Sequence, residues 1–324
     1  MQKPVVNMWS VLAMRKMMTT ICLPIVSASI LLLSLLAHAT PSITPATTQL
    51  RSIGISVSDL GNPYFVKLID ATTAAAERLT HHSVKMYIHS DAYDINRQIQ
   101  QVNSFIDKGV DLIILTAADE HKIAPVVAKA QRAGIKVVAV DMNAQGADAT
   151  ITTDNVQAGM LACERLAKKI HYRGNFAIIN GVSVSSVLER VAGCKSVLKK
   201  YPKITLLNDR LNGTGSAEGG MEAMTYLMEK YPHLDAVFSI NDPTALGALQ
   251  ASKQANRNEF FLASVDGAQF AIDAIQQDNI WIATAIQRPI IMANKAVEIG
   301  IKLLQGQPIP QRFILIPSML VEKP

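Results

Sequence analysis

The chain has 324 residues, with 31 Lys and Arg against 26 Asp and Glu and a sequence pI near 9.0. Residues 1–39 hold Lys3, Arg15 and Lys16 and no acidic residue, so without them the net charge drops from +5 to +2. A near-neutral body excludes the basic stripe of a nucleic-acid binder, and 49% hydrophobic content excludes a disordered chain.

The N-terminus reads as an export address. A basic end at Arg15-Lys16 is followed by an uncharged, mostly apolar run from Ile21 to Leu36, then Ala37-His38-Ala39 with small residues at both recognition positions. That order is the one a secretory signal requires, and it predicts cleavage after Ala39. The alternative is an uncleaved anchor, for which the apolar run falls short of the roughly 20 residues a span needs. No Cys stands at the cleavage point for lipid attachment. A soluble body in a periplasm is the expected location. Residues 40–50 form a polar leader.

From Ser52 the chain alternates apolar strands with amphipathic helices. Strands are predicted at Ser52–Val57, Val84–His89, Asp111–Leu115 and Lys136–Val140, with helices at Pro63–Leu79, Asp94–Lys108 and His121–Ala133. The rhythm restarts after Thr150-Ile151-Thr152. Helices follow at Asn155–Ile170, Ser186–Lys200, Ala217–Lys230, Thr244–Gln254, Gln269–Gln276 and Pro289–Leu304. Strands are predicted at Asn175–Ile179, Ile204–Asp209, Ala236–Ile240, Phe260–Val265, Ile280–Ala285, Arg312–Ile316 and Met319–Val321. Continuous apolar strands between such helices indicate parallel sheets covered on both faces.

The two halves echo each other. Asp111 opens one strand and Asp141 ends the next; Asp235 opens another and Asp266 ends the next, with 25 residues from Thr116 to Asp141 and from Asn241 to Asp266. Ligands of open α/β sheets bind at the carboxyl ends of the strands, so two such edges would face a shared cleft. A single Asp there reads equally as a helix cap or turn residue; the matched pair favours a site.

No catalytic constellation assembles: the chain lacks a Gly-x-Ser-x-Gly elbow, a His-Glu-x-x-His helix and a phosphate loop. The seven His are scattered. His81-His82 reads as a solvated turn and His121 as a residue of a helix's first turn. Binding is favoured over catalysis, and neither cofactor nor metal is expected. The candidate groups suit a polyhydroxylated neutral solute. Asp141 and Asp266 can accept from adjacent hydroxyls, and Arg190 can donate two bonds in a fixed fork. Asn241 and Gln287 both donate and accept, and Tyr64 and Phe65 offer flat faces for the C–H side of a sugar. The plainer alternatives are core packing for the two rings and a surface ion pair for Arg190, whose neighbour is Glu189. Cys163 and Cys194 are the thiols left after cleavage; a disulfide and two buried free thiols both fit the sequence.

A family resemblance joins these residues. Asn62-Pro63-Tyr64-Phe65, Thr153-Asp154-Asn155, Leu188-Glu189-Arg190, Ala236-Val-Phe-Ser-Ile-Asn-Asp242, Ser264-Val-Asp-Gly267 and Ala283-Thr-Ala-Ile-Gln287 resemble, in order, segments of ribose-binding proteins. The resemblance spans roughly residues 50–322. It implies two Rossmann-like lobes, 51–153 with 288–316 and 154–287 with 317–324. They would be joined by three crossings near Thr153, Gln287 and Ile316–Pro317, with the ligand cleft between them. It also implies a monomeric periplasmic receptor that passes a monosaccharide or polyol to the membrane permease of an ABC importer, or, in a second reading, reports to a membrane sensor. Carried over as ligand-binding are Asn62, Tyr64, Phe65, Asp141, Arg190, Asn241, Asp266 and Gln287. Two departures imply a different pocket: Met142 stands where the family has an Arg, and no aromatic stands near Gly215.

Overall fold

The computed structural model describes residues 49–323. The expected signal segment and most of the leader lie outside the described residues. Among the described residues no helix is long and apolar enough to cross a membrane.

The first half of the chain builds β1 (Ser52–Val57), α1 (Pro63–Thr80), β2 (Lys85–Ser90), α2 (Ile95–Asp107), β3 (Leu112–Leu115), α3 (Ala124–Arg132), β4 (Lys136–Val140) and β5 (Ala149–Thr153). The second builds α4 (Asn155–Lys169), β6 (Gly174–Asn180), α5 (Ser185–Leu198), β7 (Ile204–Asn212), α6 (Ala217–Lys230), β8 (Ala236–Ser239), α7 (Asp242–Gln254), β9 (Phe261–Asp266), α8 (Gln269–Gln277) and β10 (Trp281–Ile286). The chain ends with α9 (Pro289–Leu304), β11 (Phe313–Ile316) and β12 (Met319–Glu322).

Two six-stranded sheets result, in the orders β11-β5-β4-β3-β1-β2 and β12-β10-β9-β8-β6-β7. The orders superimpose as one plan used twice. The first sheet is wholly parallel, and in the second only the β10–β12 pair is antiparallel. Because β11 belongs to the first sheet and β12 to the second, the chain crosses between lobes after β5, after β10 and after β11. The long helix α9 returns to the first lobe and packs against α1 and β4.

The central strands explain the parallel form. Leu112, Ile113, Ile114 and Leu115 of β3 are all buried, as expected of a strand covered on both faces. Each such side chain contributes about 1.5–3 kcal/mol by leaving water. The doubled Asp motif has a structural part at the amino ends of the strands. Asp111 Oδ2 accepts the Arg51 and Ser52 amides, and Asp235 Oδ2 accepts the Asn175 amide. Each carboxylate pins the start of its sheet's first strand.

Most boundaries fall within one or two residues of the sequence reading, and three elements differ by more. Helix α3 starts at Ala124, because Asp119 Oδ1 accepts the amides of His121 and Lys122 and holds those residues in a turn. The stretch Ala149–Thr153, treated in the sequence as a boundary, is the strand β5. Strand β7 runs on to Asn212.

Helices α4 and α5 approach backbone to backbone. A Cβ on Gly159 would lie 2.0 Å from Arg190 O, and one on Gly193 would lie 2.1 Å from Val156 O. Only glycine permits that approach. It brings the Cα atoms of Cys163 and Cys194 to 5.2 Å, and the two sulfurs are bonded. The disulfide, one of two readings open in the sequence, is therefore formed.

Candidate functional site

The site is built where loops leave the carboxyl ends of both sheets. Asn62 caps α1: its Oδ1 accepts the Tyr64 amide, and Pro63 supplies a first helical residue that needs no partner for its nitrogen. Tyr64 and Phe65 on the first turn of α1 meet edge to face with centroids 5.1 Å apart, and both are buried. Packing and pocket wall prove to be one role, since both rings belong to the core and line the cavity. Asn241 caps α7, accepting the Thr244 amide and donating to Gly215 O at 2.9 Å.

Asp141 follows β4 and Asp266 ends β9. Both depart from ordinary backbone geometry, with φ of +67° and +131°. Neither residue is glycine, so the strain is borne by the surrounding structure, a situation common at binding sites. Neither caps a helix. Asp266 Oδ1 accepts Gln287 Nε2 at 2.9 Å and lies 3.4 Å from Arg190 Nη1; its Oδ2 accepts Asn62 Nδ2 at 3.5 Å, a bond between the lobes. Arg190 does not pair with Glu189. It points inward, only 4% exposed, and also donates to Asn155 Oδ1 and Ile240 O. Asp141 is 3% exposed and its Oδ1 has no hydrogen-bond partner.

An unpartnered buried carboxylate oxygen is costly unless something else supplies a donor. Burial lifts the Asp141 carboxyl to about 6; the Arg190 guanidinium opposes that rise and Asp266 adds to it. Burial also raises Asp266, again opposed by Arg190. Burial raises Tyr64 above the usual phenol range, with Asp141 adding to it.

All eight residues singled out in the sequence line one narrow cavity of about 20 Å³. That is room for about one water, so a sugar enters only if the lobes part further. Met142, Val182 and Val187 give the same cavity an apolar wall. The Asn143 backbone amide donates to Ser185 Oγ at 2.9 Å, a second bond between the lobes. Tyr93, not found from the sequence, is the further lining residue of note, with Gly215 opposite it. A wider, shallow groove lined by Arg165, Lys168, Lys169 and His171 lies at the amino ends of β6 and β9, remote from these groups. Among the described residues no cluster of His, Cys, Asp and Glu could hold a metal ion.

The arrangement offers hydroxyl acceptors, hydroxyl donors and flat aromatic faces, with no nucleophile held beside a base. It is equipped to bind. Known proteins are similar along the same span. The family model described as periplasmic binding protein domain matches residues 53–308. The ribose import binding protein of Bacillus subtilis (strain 168) is 29% identical over 273 residues, 83% of this chain and 86% of that one. Two solved structures share the fold at 26% identity and cover 84% of this chain and 91% of theirs. They are the periplasmic binding component of the arabinose ABC transporter from Shewanella sp. ANA-3, TM-score 0.78, and the fructose-binding periplasmic domain of the hybrid two-component system BT1754, TM-score 0.77. With its two parallel-dominated lobes, its inter-lobe cavity and a family match over most of its length, this chain belongs to the periplasmic binding protein family.

Proposed function

We propose that this protein is an exported receptor that binds a monosaccharide or related polyol between its lobes and delivers it to the permease of an ABC importer. The observation that carries the reading is the buried, unpartnered Asp141 Oδ1, in one cavity with Arg190, Asp266 and Gln287. A sugar hydroxyl supplies the missing donor. The eight lining residues are assigned as ligand contacts on the same ground. Relatives that import ribose and arabinose support the solute class. The near-neutral body supports a neutral ligand. The signal segment, cleaved after Ala39, would put the protein in the periplasm as a monomer.

Closure is the mechanism. One lobe holds the solute weakly; the second lobe adds its hydrogen bonds and expels water. The closed form is favoured by as much as ligand binds it better than the open form, and the closed shape is what a membrane partner reads. A second reading has one observation behind it: a domain of this fold serves a hybrid two-component system. There the closed shape would report to a sensor rather than to a permease.

The test is native mass spectrometry of the mature protein, followed by thermal shift against D-ribose, L-arabinose, D-fructose, D-xylose, xylitol and myo-inositol. A retained pentose, hexose or polyol mass with a matching shift is expected, since ligand at 100 times its Kd stabilises by about 2.7 kcal/mol. No shift with any of them would contradict the sugar assignment.

A further inference from the structure

Tyr93 stands in a turn that its sequence does not favour. Ala92 and Tyr93 have φ of +52° and +61°, two successive residues in the left-handed region. Isolated non-glycine residues visit that region only where the surroundings insist on it. Here the surroundings are specific. The fully buried Asp91 accepts the Tyr93 amide through Oδ1 at 2.8 Å. Asp91 Oδ2 accepts Gln98 Nε2 at 2.7 Å, and Gln98 is itself tied to Thr116 O and the Ala118 amide. The turn is thus bolted to the middle of the first lobe.

What the turn presents is the Tyr93 side chain. It lines the same cavity as Asp141, Arg190 and Asp266. Its hydroxyl makes no side-chain hydrogen bond among the described residues and lies 3.7 Å from where a Cβ on Gly215 would be. Gly215 belongs to the second lobe and holds φ of +80°, which keeps that side of the cavity bare. Tyr93 therefore crosses the cleft and fills a place that no second-lobe side chain occupies.

We infer that Tyr93 is a specificity-determining residue of the cleft: beside Tyr64 and Phe65, its ring is a further first-lobe wall for the C–H face of a neutral sugar or polyol, closing against Gly215 as the lobes meet. The inference rests on the reading of the cleft as the solute site. An aromatic face suits the C–H side of a ring whose hydroxyls point to Asp141, Arg190 and Asp266. The free hydroxyl can donate or accept at the cavity's far end.

The test compares Tyr93→Phe, Tyr93→Leu and Asp141→Asn with wild type by calorimetric titration of the six solutes above, with unliganded melting midpoints. For the tightest of the six, Tyr93→Phe is expected to stay within about threefold of wild type and Tyr93→Leu to lose at least about tenfold, with the two variants melting alike. The D-xylose to xylitol affinity ratio should fall in Tyr93→Leu, because the acyclic polyol has no flat face to lose. If Asp141→Asn loses binding while Tyr93→Leu keeps affinity and ratio, the Tyr93 assignment is overturned and the cleft stands. If Phe and Leu lose affinity together and both melt lower, Tyr93 is structural and the assignment is also overturned. If none of the six binds wild type, or Asp141→Asn binds unchanged, the cleft reading falls and takes this one with it.

Discussion

Thr153 Oγ1 donates to Gln287 Oε1 at 2.8 Å, joining two crossing segments that are 134 residues apart in the chain. Gln287 passes the contact on, donating to Asp266, which meets Arg190. Arg190 donates to Asn155, whose Nδ2 returns to Thr152 Oγ1. The third crossing joins through Ser318, whose amide donates to Gln157 Oε1 and whose hydroxyl donates to Ile286 O. Crossings and site form one hydrogen-bonded ring, so the proposed ligand contact at Asp266 is continuous with the segments that would bend in the proposed closure.

The ring makes Thr153 a residue that affects binding without touching solute. Thr153→Val removes one neutral hydrogen bond, about 0.5–1.5 kcal/mol. A loss of affinity of about two- to tenfold is expected for the solute that wild type binds best, measured by titration calorimetry. Unchanged affinity would mean the hinge does not set the orientation of Gln287.

Binding should depend on pH through Asp141. Its carboxyl is raised to about 6 by burial, and the ionised form accepts through both oxygens with the stronger, charge-assisted bonds. Affinity is expected to rise from pH 5 to pH 7.5 and then level off. A solute that binds equally well at both values would place its hydroxyls elsewhere.

Stability of the unliganded protein should run the other way. Burial raises Asp91 to about 7 and Asp141 to about 6, and lifts Asp242 and Asp266 as well. The unfolded chain ionises these groups near the usual 3.8, whereas the folded chain keeps their protons to higher pH. Their stabilising effect is complete below about pH 4 and is lost as pH rises through the raised values. Carboxyls held low by partners, such as Asp278 beside Lys253 and Glu298 beside Lys302, complete their opposite change below about pH 5. The melting midpoint without ligand is therefore expected to fall from pH 5 to pH 8. A steady rise across that range would contradict the burial of these carboxylates.

The disulfide closes a loop between residues 31 apart, worth about 3–4 kcal/mol by loop entropy. Cys163→Ala with Cys194→Ala should lower the melting midpoint and leave solute affinity within about threefold. Gly159→Ala should be worse on both counts, because its Cβ would strike the Arg190 carbonyl and displace the guanidinium from Asp266. Equal affinity in Gly159→Ala would show that α5 can shift without carrying Arg190 away.

The repeated plan was legible because periodicity and spacing are local. Asp141 and Asp266 stood out through their matched distance from the preceding strand tips, and Arg190 through a sequence segment that resembles a known one. Tyr93 was not legible. Asp91-Ala-Tyr-Asp94 reads as a polar turn, and the two left-handed residues that aim its ring depend on Asp91 and Gln98 meeting in the fold. The disulfide depends on two glycines in different helices coming into register. The Thr-rich β5 carries too little apolar character to be read as a strand; it is buried by its neighbours β4 and β11.

The most direct test of the account is the dissociation constant of the best solute for wild type, Asp141→Asn and Asp266→Asn. Each substitution keeps shape and removes a charge-assisted acceptor, an effect of about 1.5–3 kcal/mol. Affinity at least about tenfold weaker in both variants is the expected result. Unchanged affinity in both would contradict binding in the cleft between the lobes.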